Sequence, residues 1–123
     1  MSQTSMVIAV VEDDEGLRTA LQQLLRSAGF AAVTFESAED FLADGNRRAV
    51  DCAIVDINLP GMTGVELVKQ LGQNGDRLPA VLITGRRDAA TTELASQVSD
   101  VPRLYKPFSD EALFEVLTEV MKR

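Results

Sequence analysis

Hydrophobic and polar positions along the chain change period again and again. Met6 to Val11 is a continuous apolar run, the pattern of a strand buried on both faces, and it stops abruptly at Glu12-Asp13-Asp14-Glu15. From there Leu17, Ala20, Leu21, Leu24, Leu25 and Ala28 recur at helical spacing, with Gly29 where a helix C′ residue belongs. Ala31 to Phe35 reads as a second strand. Ser37 then caps a short helix that turns Ala38, Phe41 and Leu42 inward, and Gly45 to Arg48 forms a polar loop. A third strand, Cys52 to Val55, delivers Asp56 to a turn marked by Pro60-Gly61. Thr63 and Glu66 have capping-box spacing, ahead of Val65, Val68 and Leu71, and Gly72 and Gly75 loosen that helix at its end. Ala80 to Ile83 is the fourth strand, and a weak Ala/Thr-rich helix follows from Ala89 to Val98 with Asp88 as its cap. Arg103 to Tyr105 is a short fifth strand. Ser109 caps a last helix whose stripe is Leu113, Val116, Leu117, Val120 and Met121.

Five strand–helix alternations imply a parallel sheet with helices on both faces. Right-handed crossovers leave few topologies, and a doubly wound, flavodoxin-like α/β sheet of order 2-1-3-4-5 is the leading choice. The whole chain, residues 1–123, is expected to be one domain without an effector domain, because neither a linker nor a repeat interrupts the pattern.

In such a sheet the carboxyl ends of the strands share one rim, where ligands bind. Glu12, Asp13 and Asp14 follow the first strand, Asp56 the third, Thr84 the fourth and Lys106 the fifth. Glu12, Asp13 and Asp56, with a hydroxyl and an amine, are thereby expected to converge. Acids this close raise one another's pKa unless a cation intervenes, and a hard divalent ion such as Mg²⁺ resolves the conflict. Asp56 can then attack phosphorus, with Lys106 and Thr84 stabilising charge on the phosphoryl oxygens. Each signal alone has a plain structural reading: solvated helix start, cap or turn. Their joint placement at the ends of four strands carries the argument.

Composition narrows the choice. With 19 acidic and 12 basic residues the net charge is −7, which disfavours direct nucleic-acid binding. The chain has no histidine, which excludes histidine-based catalysis and a phosphohistidine of its own. Cys52, the single cysteine, sits in an apolar strand and reads as an inert buried thiol. The absence of a signal peptide and of a long apolar run reads as a soluble, cytoplasmic protein with no membrane partner.

The motifs Val10-Val11-Glu12-Asp13-Asp14, Asp56 to Gly64, Ile83-Thr84-Gly85 and Lys106-Pro107-Phe108 together resemble the receiver domain of bacterial two-component response regulators, over essentially the whole chain. Gly16-Leu17-Arg18 and Phe35 to Leu42 look like the nitrogen-fixation-regulator branch. The resemblance implies that Asp56 is the phosphoacceptor, loaded from the phosphohistidine of a sensor histidine kinase or a phosphotransfer protein. It implies that Asp13 binds Mg²⁺ directly, Glu12 through water, and Asn58 through its backbone carbonyl, with Asp14 outside the coordination sphere. Thr84 and Lys106 would contact the phosphoryl group, and the Lys106-Pro107 bond would be cis. The domain would catalyse only its own phosphorylation and dephosphorylation. Its output would run through helix four, strand five and helix five, to an effector protein or a second copy. The alternatives are a receiver fragment of a DNA-binding regulator, or a phosphorelay intermediate.

Two positions depart from the family pattern. Arg103 stands where relatives carry an aromatic switch, three residues before the lysine, and Tyr105 lies on the same side of the strand two residues on. Either residue is a candidate switch with Thr84, or the aromatic relay is absent. Asn58 and Arg86 occupy the positions that flank the attacking water in the family, so Arg86 is expected to alter the lifetime of the phosphoryl group. Competing chemistries fail on particular residues. A flavin phosphate would be repelled by Glu12 to Glu15. A haloacid-dehalogenase-like phosphatase needs a second Asp where Asn58 stands. A degenerate, binding-only receiver would not keep the full constellation.

Overall fold

The computed structural model describes residues 5–122. Its elements are β1 (Val7–Val11), α1 (Glu15–Ser27), β2 (Ala31–Phe35), α2 (Ala38–Ala43), a 3-10 turn (Arg47–Ala49), β3 (Cys52–Asp56), α3 (Gly64–Gln73), β4 (Ala80–Thr84), α4 (Ala89–Ser96), β5 (Arg103–Tyr105) and α5 (Asp110–Met121). The strands are all parallel, in the order β2-β1-β3-β4-β5, as the alternating pattern implies. The polar loop expected at Gly45 to Arg48 closes into that 3-10 turn, and the third and fourth strands run one residue further, to include Asp56 and Thr84.

The caps follow the sequence. The side chains of Ser37, Thr63, Asp88 and Ser109 each accept a backbone N–H from the first turn of their helix, and Thr63 with Glu66 closes a capping box. Gly29 has φ +95°, and the N–H groups of Gly29 and Phe30 return to the carbonyls of Arg26 and Leu25, which ends α1 in a Schellman motif.

Alternation along the strands feeds two cores. Ala9, Val11, Ala53, Val55 and Leu82 pack with Phe41 of α2, Val65, Leu67 and Leu71 of α3, and Ala95 of α4. Ile8, Val10, Ile54, Val81 and Ile83 pack with Leu21 and Leu25 of α1 and with Leu113, Leu117 and Val120 of α5. Cys52 lies in the second core, where burial raises its thiol pKa to about 12 and keeps it protonated. The same period of two sets the faces at the rim. Glu12, Asp56 and Lys106 continue the parity of the α1/α5 face, whereas Thr84 continues that of the α2/α3/α4 face.

Candidate functional site

Glu12, at the end of β1, is fully buried, and Asp56, the last residue of β3, is 5% exposed. Asp13 beside them is exposed. One carboxylate oxygen from each of Glu12, Asp13 and Asp56 falls within 4.8 Å of the others. Lys106 reaches this cluster from the end of β5: its Nζ donates to Glu12 Oε1 at 2.8 Å and to Asp56 Oδ2 at 3.1 Å. The other Asp56 oxygen accepts the Asn58 N–H at 3.0 Å, so both oxygens of the carboxylate are oriented. The Lys106-Pro107 peptide bond is cis.

One ammonium does not balance three carboxylates. Burial pushes the Glu12 pKa up to about 7, and Asp56 adds to the rise, although the Lys106 hydrogen bond and the Asp14 N–H oppose it. Burial disfavours the charge on Lys106 as well, but its bonds to Glu12 and Asp56 hold its pKa above the ordinary value. Hard oxygen donors with excess negative charge are the donor set a divalent cation such as Mg²⁺ takes.

Several further contacts position the site. The Arg18 guanidinium donates to the Glu12 carbonyl at 2.9 Å and so fixes the backbone of the acidic pair from α1. Asp14 caps α1 by accepting the Leu17 N–H at 3.2 Å and is not part of the Glu12, Asp13 and Asp56 cluster. Gly64 packs directly on the Asp56 backbone: a Cβ there would overlap the Asp56 carbonyl oxygen and lie 2.9 Å from Val55 Cγ1. Gly61, at φ +73°, lets the loop after β3 turn beneath Glu39, whose Oε2 accepts the Met62 N–H at 3.0 Å.

A family model described as the response regulator receiver domain matches residues 8–118. The chain belongs to this family. It is 34% identical over 122 residues to the response regulator protein TodT of Pseudomonas putida, an alignment covering 99% of this chain and 54% of TodT. It is 31% identical over 116 residues to the transcriptional regulatory protein FixJ of Bradyrhizobium diazoefficiens, covering 94% of this chain and 57% of FixJ. The receiver domain thus spans about half the length of the curated relatives it matches. The crystal structure of FixJ-N superposes with a TM-score of 0.84 at 30% identity, over 98% of this chain and 97% of that one. The Vibrio cholerae chemotaxis protein CheY4 superposes with a TM-score of 0.83 at 26% identity, over 95% and 99%. The receiver domain is a signalling domain. The cavity lined by Phe41, Arg47, Val50, Asp76 and Pro79 lies at the opposite, amino-terminal ends of the strands.

Thr84, 1% exposed, accepts the Lys106 N–H on its backbone carbonyl at 2.8 Å, while its side chain bonds elsewhere. Its hydroxyl donates to Asn58 Oδ1 at 2.5 Å and accepts the Arg86 N–H at 3.0 Å. The Asn58 side chain is therefore a hub, and its Nδ2 donates onward to Thr91 Oγ1 at 3.1 Å. Arg103 is exposed and forms no ion pair among the described residues. Tyr105, register partner of Thr84, is half-buried beneath the Arg87 guanidinium, 3.8 Å from the ring centroid. Among the described residues, no helix is long and apolar enough to cross a membrane.

Proposed function

We propose that Asp56 accepts a phosphoryl group from the phosphohistidine of a sensor histidine kinase or phosphotransfer protein, and that the domain itself catalyses the transfer and the later hydrolysis. An Asp56 carboxylate oxygen attacks phosphorus while the P–N bond to the imidazole breaks, leaving an acyl phosphate on this chain and a neutral imidazole on the donor after it picks up a proton. Lys106, already held between Glu12 and Asp56, neutralises one phosphoryl oxygen. The Thr84 hydroxyl donates to another. Glu12, Asp13, Asp56 and the Asn58 carbonyl would hold Mg²⁺, which would supply the remaining charge neutralisation at phosphorus. Water attack on phosphorus later breaks the P–O bond to Asp56, and Asn58 and Arg86 flank that path.

The observation that carries this reading is the Lys106 ammonium bound to both Glu12 and Asp56 beside Asp13. The domain acts in the cytoplasm by changing its protein contacts through α4, β5 and α5, with an effector protein or a second copy. A second reading is favoured by the longer relatives and by the name of FixJ, a transcriptional regulatory protein. In it, the domain serves as the receiver of a DNA-binding regulator, whose nucleic-acid contacts lie elsewhere. The test of the chemistry is incubation with acetyl phosphate and Mg²⁺ on a phosphate-affinity gel. Wild type is retarded and Asp56→Asn is not. Equal retardation of both moves the acceptor to another residue, and retardation of neither removes the switch reading.

A further inference from the structure

The buried hydroxyls near the rim form one directed chain. Arg86 N–H donates to Thr84 Oγ1, Thr84 donates to Asn58 Oδ1, and Asn58 Nδ2 donates to Thr91 Oγ1. Thr91 is 4% exposed and hydrogen-bonds the Asp88 carboxylate, which also accepts the Thr91 N–H at 2.8 Å and caps α4. We propose that the Asn58 carboxamide is the contact through which Thr84 reports the state of Asp56 to α4, by holding or releasing Thr91. This rests on Asp56 being the phosphoacceptor.

A hydroxyl has one proton to donate. In the unmodified protein Thr84 spends it on Asn58 Oδ1. A phosphoryl oxygen on Asp56, on the neighbouring strand, is a charged and stronger acceptor for the same proton. Once Thr84 turns to it, Asn58 Oδ1 loses its donor. Asn58 is half-exposed, so its amide can rotate toward water, and that rotation takes Nδ2 away from Thr91. Thr91 Oγ1 then loses its donor at a buried position, and the first turn of α4 loses its tie to the β3–α3 loop.

The helix is built to respond. Of its eight residues only Thr91 and Ala95 are buried, so one lost hydrogen bond is a large part of what holds it down. This route does not use Arg103, which is exposed and makes none of these hydrogen bonds. It accounts for signal transmission in a domain lacking the aromatic at that position.

Hydrogen exchange of peptides covering residues 89–96, with and without acetyl phosphate and Mg²⁺, tests the relay. In wild type, phosphorylation speeds exchange there roughly two- to tenfold, the factor that one hydrogen bond of ordinary net strength supplies, while peptides of α1 keep their rate. Thr91→Val leaves Asp56, Thr84 and Lys106 untouched, so it is phosphorylated at the wild-type rate. It shows the faster α4 exchange already without phosphate and gains little on phosphorylation. Thr91→Ser restores the wild-type response. A phosphorylated wild type whose α4 exchange stays unchanged overturns the relay and leaves the acceptor standing, as does a Thr91→Val protein that matches wild type in both states. A wild type that takes no phosphate overturns the acceptor, and the relay with it.

Discussion

Replacing Gly64 with alanine puts a methyl group where the structure has no room. Gly64 opens α3, and its N–H donates to the Ile57 carbonyl at 3.0 Å, so the helix start lies flat on the end of β3. The new Cβ would overlap the Asp56 carbonyl oxygen and sit 2.9 Å from the Asp56 carbonyl carbon and from Val55 Cγ1. Carbon atoms in good contact are ~3.5–4.0 Å apart, so the clash is of order 1 Å. These neighbours are a buried strand backbone and a fully buried valine, which cannot swing aside. Overpacking of this kind costs ~1–3 kcal/mol, against which alanine's helix propensity returns at most ~1 kcal/mol. A net loss of ~1–2 kcal/mol lowers the melting temperature by roughly 4–8 °C in a domain this size. Gly72, in the same helix, is the internal control: nothing lies within 4 Å of its added Cβ, and its φ is not positive. Gly72→Ala should therefore raise the melting temperature by roughly 2–4 °C. Thermal melts followed by circular dichroism read both variants, and phosphorylation of Gly64→Ala by acetyl phosphate should be slowed because the Asp56 backbone is displaced. A Gly64→Ala protein that melts at or above wild type refutes the reasoning.

Three further outcomes follow from the charges at the rim. Glu12 has a folded pKa of about 7, raised above its unfolded value of 4.5, so its contribution to stability is fully present below pH 4.5 and lost as pH rises through 7. Denaturant melts without divalent cation should therefore show stability falling by at most ~3 kcal/mol across that window, and saturating Mg²⁺ should flatten the slope; a flat metal-free profile contradicts the burial of an unbalanced carboxylate. Lys106→Ala removes the cation shared by Glu12 and Asp56; it should cost ~1–3 kcal/mol at pH 8 and less at pH 5, where Glu12 is protonated, and should slow phosphorylation at least tenfold. Arg86→Ala should change the half-life of the phosphorylated protein, measured by loss of the retarded gel band, and an unchanged half-life removes Arg86 from the hydrolytic path.

Much of this was open to reading because the informative residues act through the backbone pattern. A continuous apolar run ending in an acid, repeated with helical intervals, specifies a parallel sheet and the end of it at which Glu12, Asp56, Thr84 and Lys106 must stand. Caps at Ser37, Thr63, Asp88 and Ser109 were legible for the same reason, since each acts within three residues of itself. What stayed hidden was long-range and side-chain specific. The Asn58 carboxamide bonds Thr84 and Thr91, 26 and 33 positions away, and its polar side chain in a turn has an ordinary local explanation. Gly64 reads as a helix start, and only the packed backbone shows that it is a close approach. The Arg87–Tyr105 stacking depends on how the loop after β4 folds over β5. A pair of signals exists for the relay, a hydroxyl three residues past the cap of the fourth helix and an amide two residues past the third strand, but neither is specific until the fold brings them together.

The central claim is that the Asp56 carboxylate receives the phosphoryl group. Its most direct test is to treat the protein with acetyl phosphate and Mg²⁺, reduce the acyl phosphate with borohydride, and map the reduced residue by mass spectrometry. The account predicts conversion of Asp56, and only Asp56, to the homoserine mass, dependent on Mg²⁺ and absent in Lys106→Ala at early times. Modification at Asp13, Glu12 or any other acid with Asp56 intact would contradict it.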